Sequence, residues 1–184
     1  CTVPEMSQIV AYVDASFAVH YDAKGHTGMV LMFQGCVIDS ECGKQKIATK
    51  DSTEAETVGL SDKLVKVNRA QRFLEAQGVE LSGPPIVFQD NTSTMTLIRK
   101  TGGGYMRTRH LEARRAIVHE QVVKEKSVRM FYMQTKEMVA DILTKPLGGA
   151  LFYKFADVLM GRATPDLKGY LPEFPWRRLR SKQA

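Results

Sequence analysis

Two short, β-rich apolar runs each end on an aspartate. Gln8-Ile-Val-Ala-Tyr-Val13 leads into Asp14, and Ile86-Val-Phe-Gln89 leads into Asp90. Consecutive apolar positions over this length read as strands buried on one or both faces. In open α/β sheets, ligands bind outside the carboxyl ends of the strands. If the two strands are adjacent and parallel, both carboxylates reach one crevice. The competing reading makes each Asp a turn residue or helix cap, and Asp90-Asn91-Thr92 is good N-cap chemistry.

The rest of the chain supplies the other elements of such a sheet. Thr27–Phe33 reads as a second strand, Gln34-Gly35 as a turn, and Cys36–Ser40 as the hairpin partner. Residues 53–77 form the strongest helix: Leu60, Leu64, Val67 and Leu74 recur along one face, Gln71 interrupts the stripe, and Gly78 closes it as a C′ residue. A helix is expected over Asn91–Lys100, broken by Thr101-Gly-Gly-Gly104, then a basic helix over 108–126 and a strand over Val128–Met133. A short helix over Lys136–Thr144 stops before Pro146, and a last helix covers 149–160. A leading meander followed by alternating elements implies an α/β fold, a mixed sheet with helices on its faces. The expected layout is a lead-in over 1–6, the main domain over 7–147, a C-terminal helix over 148–160, and a basic, extended or disordered tail over 161–184.

Charge is unevenly distributed. The net of +6 over 184 residues is modest, but residues 1–98 carry 8 basic and 12 acidic side chains, whereas 99–129 carry 9 basic and 3 acidic. An acidic half joined to a basic segment suits carboxylates that hold metal and a polyanionic partner. A solvated helix face plus a basic tail is the plainer reading. No run of 18 apolar residues exists, so no membrane partner is expected. Three cysteines make no disulfide framework and no secretory signal is visible, so the expected location is the cytoplasm or nucleus, not the exterior. The first residue is Cys1, which suggests one domain of a longer polyprotein.

Two more carboxylates stand at notable positions. At ~100° per residue, Glu56 falls about 40° from the stripe through Leu60 and Glu54 about 120° from it, so Glu56 should face the sheet and Glu54 solvent. Thr53-x-x-Glu56 also matches a capping box, which would give Glu56 a purely structural task. Asp141, inside Val139-Ala-Asp-Ile-Leu143, lies either on the outer face of its short helix or over a site. Carboxylates gathered in one crevice repel one another unless cations neutralise them. Hard divalent cations with oxygen ligands do so, and a pair of them can support in-line phosphoryl displacement.

Tyr12-Val-Asp14-Ala-Ser16, Lys44-Gln45, Ser52-Thr-Glu-Ala-Glu56, Phe88-Gln-Asp90-Asn91, Arg107-Thr-Arg-His110 and Ala140-Asp-Ile-Leu-Thr-Lys-Pro-Leu147 occur in that order. This series resembles the ribonuclease H domain that ends Ty1/copia-type retrotransposon polyproteins, over about residues 7 to 160. The resemblance implies a ribonuclease H-like fold, with a five-stranded mixed sheet flanked by helices. It implies a site of two Mg²⁺ ions, with Mn²⁺ as a substitute, whose ligands and catalytic residues fall on Asp14, Glu56, Asp90 and Asp141. It also implies endonucleolytic cleavage of the RNA strand of an RNA–DNA hybrid beside the reverse transcriptase domain of the same polyprotein, leaving a 5′-phosphate and a 3′-hydroxyl. Arg107, Arg109 and His110 are candidates for phosphate contact. Thr57 and Arg115-Ala116-Ile117 depart from the family pattern, which has an aromatic at the first position and an aromatic and a second His near the others. The alternative for the same residues is a catalytically decayed domain that acts only as a nucleic-acid-binding or assembly module.

A zinc site from His20, His26, Cys36 and Cys42 matches no established ligand spacing. His110 and His119, nine residues apart on one helix, point to opposite faces. Gly102–Gly104 reads as a hinge, and Trp176-Arg-Arg-Leu-Arg180 as tail.

Overall fold

The strand β1 (Ile9–Ser16) is buried along nearly its whole length, as its unbroken apolar run requires. In the computed structural model, which describes residues 7–102, 108–165 and 167, β1 is the middle strand of five. Around it lie β2 (Lys24–Phe33), β3 (Cys36–Ala48), β4 (Ile86–Gln89) and β5 (Arg129–Tyr132), in the order β3-β2-β1-β4-β5. The pairs β1–β2 and β2–β3 are antiparallel, while β1–β4 and β4–β5 are parallel. The expected five-stranded mixed sheet is therefore present, and the two Asp-terminated strands are adjacent and parallel.

The period-two alternation of a strand divides the core. Ile9, Ala11, Val13 and Val87 face one side, where they meet Leu60, Leu64 and Val67 of α1 (Ser52–Ala76), Met95 and Ile98 of α2 (Thr92–Arg99), and Val118 of α3 (Arg109–His119). Val10, Tyr12, Ile86 and Phe88 face the other, against Val139 and Ala140 and against Phe155 and Val158 of α4 (Gly149–Leu159). The stripe expected on 53–77 is the buried face of α1, and Gly78, at φ +77°, ends it. There Val79 N–H reaches Leu74 O and Gly78 N–H reaches Glu75 O, the paired bonds of a Schellman close.

Several boundaries differ from expectation. β3 extends eight residues past Ser40, hidden from hydropathy because it alternates polar with half-buried positions at the sheet edge. Ion pairs support it from α1, Lys63 to Glu41 at 3.0 Å and Lys66 to Glu41 at 2.6 Å. The basic helix is α-helical only over Arg109–His119, then continues as a π-helical turn over Glu120–Lys124. The single helix expected over Lys136–Thr144 is two 3₁₀ segments, Thr135–Glu137 and Val139–Leu143. The chain turns at Met138, whose fully buried side chain enters the core between them. The 161–184 tail lies mostly outside the described residues, and the part of it that is described follows α4 without further helix or strand. Among the described residues, no helix is long and apolar enough to cross a membrane.

Candidate metal centre

Strand parity decides which side chains meet at the carboxyl ends of β1 and β4. Asp14 has the parity of Val10 and Tyr12, and Asp90 that of Ile86 and Phe88, so both project on the sheet face covered by the 3₁₀ segment Val139–Leu143. That segment brings Asp141 to them. One carboxylate oxygen from each of Asp14, Asp90 and Asp141 lies within 4.8 Å of the other two. Asp14 and Asp141 are each 1% exposed, and Asp90, just past β4, is partly exposed.

Gly28 makes this approach possible. It pairs with Asp14 across β1–β2, and a Cβ there would lie 2.8 Å from Leu143 Cβ, 2.8 Å from Thr144 Cγ2 and 3.2 Å from Ala140 O. A residue with any side chain would hold the Asp141 segment away from the strand that carries Asp14.

Glu56 reaches the same cavity from the opposite face of the sheet, as its helical angle predicts. The open cavity, about 480 Å³, is lined by Asp14, Glu56, Asp90, Asn91 and Lys145 among others. Glu56 is not among the three carboxylates that converge within 4.8 Å. Gln89 holds it instead. Having the parity of Val87, Gln89 faces α1, and its Nε2 donates to Glu56 Oε2 at 2.9 Å, while its Oε1 accepts from Asp90 N–H at 3.0 Å. One fully buried amide thus ties the helix carboxylate to the end of β4. Replacing Gln89 with Leu should cost about 1–3 kcal/mol, since the buried Glu56 carboxyl loses its donor, and urea denaturation measures this directly.

The capping-box reading of Glu56 is corrected. The N-cap of α1 is Asp51, two residues before Thr53; its Oδ1 accepts from Glu54 N–H at 2.9 Å, and Glu54 Oε2 accepts from Lys50 N–H at 2.9 Å. Glu54, expected in solvent, is buried because it closes this cap. Glu56 is left free for the cavity.

Like-charge repulsion and burial show in the titration of these groups. Burial first, then the Asp14 charge, hold the Glu56 carboxyl well above the usual range, against the Gln89 hydrogen bond. Burial and then Asp14 push Asp141 up to about 6, although Lys145 opposes this. Lys145, which the sequence motif contains without marking it for a role, is central to the cluster. Its Nζ lies 2.9 Å from Asp141 Oδ1, 3.1 Å from Asp14 Oδ1 and 3.9 Å from Asp90 Oδ2. Burial works against its charge, but the three carboxylates outweigh it and keep the ammonium protonated above the ordinary lysine range. Thr144 Oγ1 donates to Asp14, and Thr135 Oγ1 donates to Asp90 Oδ2 at 3.0 Å. Three carboxylates that converge at the ends of adjacent strands are the donor set a hard divalent cation requires.

The candidate phosphate contacts are placed only in part. Arg109 and His110 are exposed at the start of α3, and Arg107 lies outside the described residues. Behind them, Arg115 is buried against Glu112 at 2.7 Å and donates to Gly102 O at 2.8 Å, so this departure from the family pattern fastens α3 to the preceding loop. His119 is a core histidine within 2.6 Å of Ile98 O. Among the described residues no Cys joins His20 and His26 in a metal-ligand group, although those two rings meet at 3.2 Å. Thr57, in place of an aromatic, is fully buried and donates to Thr53 O at 2.8 Å.

The mixed five-stranded sheet with its flanking helices is the ribonuclease H fold. The chain superposes on an RNase H1, LC11, isolated from compost by a metagenomic approach, with a TM-score of 0.51 at 16% identity, over 75% of this chain and 93% of that one. A crystal structure of LC11-RNase H1 in complex with RNA/DNA hybrid matches equally, with a TM-score of 0.51 at 15% identity, over 74% and 93%. The N-terminal RNase H domain of a Mycobacterium tuberculosis protein matches with a TM-score of 0.50 at 13% identity, over 82% and 97%. No family model matches the chain. In sequence, the chain is homologous to a segment of the Ty1 Gag-Pol polyproteins of Saccharomyces cerevisiae. It is 26% identical to Ty1-NL2 and to Ty1-DR6 over 144 residues, 77% of its length. The chain spans about 8% of the length of these relatives.

Proposed function

We infer that this chain is the ribonuclease H module of a Ty1/copia-type polyprotein, and that it cleaves the RNA strand of RNA–DNA hybrids with divalent metal. The observation that carries this reading is the convergence of Asp14, Asp90 and Asp141 at the ends of two adjacent parallel strands in a ribonuclease H fold. Those three hold the metal, Mg²⁺ or Mn²⁺ in its place, and Glu56 enters from α1 as the fourth acidic group. When bound, a pair of such ions supplies Lewis-acid stabilisation to the attacking and leaving oxygens of an in-line phosphoryl displacement.

The protein's own contribution is positional. Gln89 sets the reach of Glu56, Thr135 fixes one oxygen of Asp90, and Gly28 lets Asp141 approach Asp14. Arg109 presents positive charge to the hybrid backbone at the exposed start of α3, next to His110, and this contact positions the duplex without reading its sequence; Arg107 joins them as a candidate from its sequence motif alone. The reverse transcriptase of the same polyprotein is the partner that generates the hybrid.

Incubation with labelled RNA–DNA hybrid, double-stranded RNA and duplex DNA tests the substrate class. Mg²⁺-dependent cutting confined to the RNA of the hybrid is expected. Salt-sensitive hybrid binding without cutting would establish the non-catalytic alternative, and cutting of duplex DNA would overturn the substrate assignment.

A further inference from the structure

Lys145 is the feature of the site that the carboxylate chemistry does not require. Its ammonium bridges the two most deeply buried carboxylates at 2.9 and 3.1 Å and stands 3.9 Å from the third. It thus occupies the volume that a cation shared by Asp14, Asp90 and Asp141 would occupy. The geometry suits an ammonium: three oxygens within 4.8 Å of one another accommodate N–H···O contacts near 3 Å. A Mg²⁺ ion binds oxygen at about 2.0–2.1 Å in near-octahedral geometry, so it would need these oxygens drawn closer and the ammonium gone.

The placement also gives Lys145 a way out. It sits four residues after Asp141, its N–H bonded to Asp141 O at 2.9 Å, so its backbone is anchored to the 3₁₀ segment. Its side chain remains 35% exposed along the cavity rim. A four-carbon stem can therefore rotate the charge to solvent without moving the carboxylates.

We propose that Lys145 is a displaceable counter-cation: it offsets part of the charge of Asp14, Asp90 and Asp141 when no metal is bound, and it competes directly with the divalent cation for them. This rests on the metal-site reading above. The cluster is then never left without a cation among its carboxylates. The same charge that makes the metal-free fold tolerable weakens metal binding.

The test is calorimetric titration of the chain with Mn²⁺ and with Mg²⁺ at fixed ionic strength, for the wild type, Lys145→Met and Lys145→Arg. Far-UV circular dichroism verifies each fold. Removing a unit charge a few Å from the site should tighten metal binding on the order of tenfold or more. Lys145→Arg should stay near the wild type, and the metal-free Lys145→Met protein should melt below it. Metal binding in Lys145→Met that is unchanged or weaker overturns the proposal, and would make Lys145 an aid to binding instead. Metal binding seen only in Lys145→Met supports it. Failure of both wild type and Lys145→Met to bind either ion overturns this proposal and the metal-site reading together. Competition that is intact in a protein that leaves the hybrid uncut overturns the cleavage reading alone.

Discussion

Asp141→Asn is expected to lose cleavage by about 10³-fold or more, the order seen when a preorganised catalytic group is removed, and at the same time to melt higher than the wild type in chelator at pH 7.5. The two effects share one cause. Asp141 is almost completely buried beside Asp14, and its carboxyl is pushed up to about 6 by burial and then by that neighbouring charge, in spite of Lys145. A carboxyl whose folded pKa lies above the unfolded value binds its proton more tightly in the native state. The metal-free wild type should therefore lose stability as pH rises from about 4 to about 6, and this contribution is gone above that window. Asn mimics the protonated form at every pH, so the variant gains over the wild type only on the neutral side, and the two converge near pH 4. About 1 kcal/mol moves the Tm of a domain this size by roughly 2–4 °C, within reach of differential scanning fluorimetry across pH. Mg²⁺ should raise the wild-type Tm at pH 7.5 and do little for Asp141→Asn.

Gly28→Val should damage stability and activity together. The space a Cβ would need is already filled by Leu143, Thr144 and the Ala140 carbonyl. Leu143 Cβ is fixed directly to its backbone and cannot rotate aside, and the Ala140 carbonyl is itself backbone, so the 3₁₀ segment that carries Asp141 must move off the sheet. Overpacking of this kind costs about 1–3 kcal/mol, occasionally more. A displacement of ~1 Å at catalytic groups costs on the order of 10²-fold in rate. Gly28→Ala should lie between Gly28→Val and the wild type in both quantities. Urea denaturation and initial rates at saturating Mg²⁺ separate the two losses, and a stable, fully active Gly28→Val would show that the segment does not need this close approach.

The parts of this molecule that were legible in its sequence are those where one local signal dominates. The buried runs before Asp14 and Asp90, the apolar face of α1 and its glycine stop all announce themselves within a few residues. β3 does not, because an edge strand half in water and paired through lysines carries little hydropathy contrast. Asp141 was ambiguous by position, since a carboxylate among apolar residues reads as an outer face. Only its motif pointed inward, and only the Gly28 gap explains how it gets there. The helical angle was the better guide to Glu56 than the capping pattern, because the helix starts before Thr53 and Asp51 with Glu54 satisfies its first turn. Counting parity along β4 would have placed Gln89 toward α1 and Asp90 away from it, the signal for the Gln89–Glu56 bond. Lys145 had no such signal, for its place depends on three chain segments meeting.

The most direct measurement is the rate of RNA-strand cleavage in a labelled hybrid at pH 8 with Mg²⁺, for the wild type, Asp14→Asn and Asp90→Asn, with folded structure verified for each. Rapid wild-type cutting that chelator abolishes, RNA fragments bearing a 5′-phosphate and a 3′-hydroxyl, and a loss of about 10³-fold or more in both variants is the result expected. Cleavage that persists in the folded Asp14→Asn or Asp90→Asn protein would contradict the assignment of this carboxylate cluster as the site of catalysis.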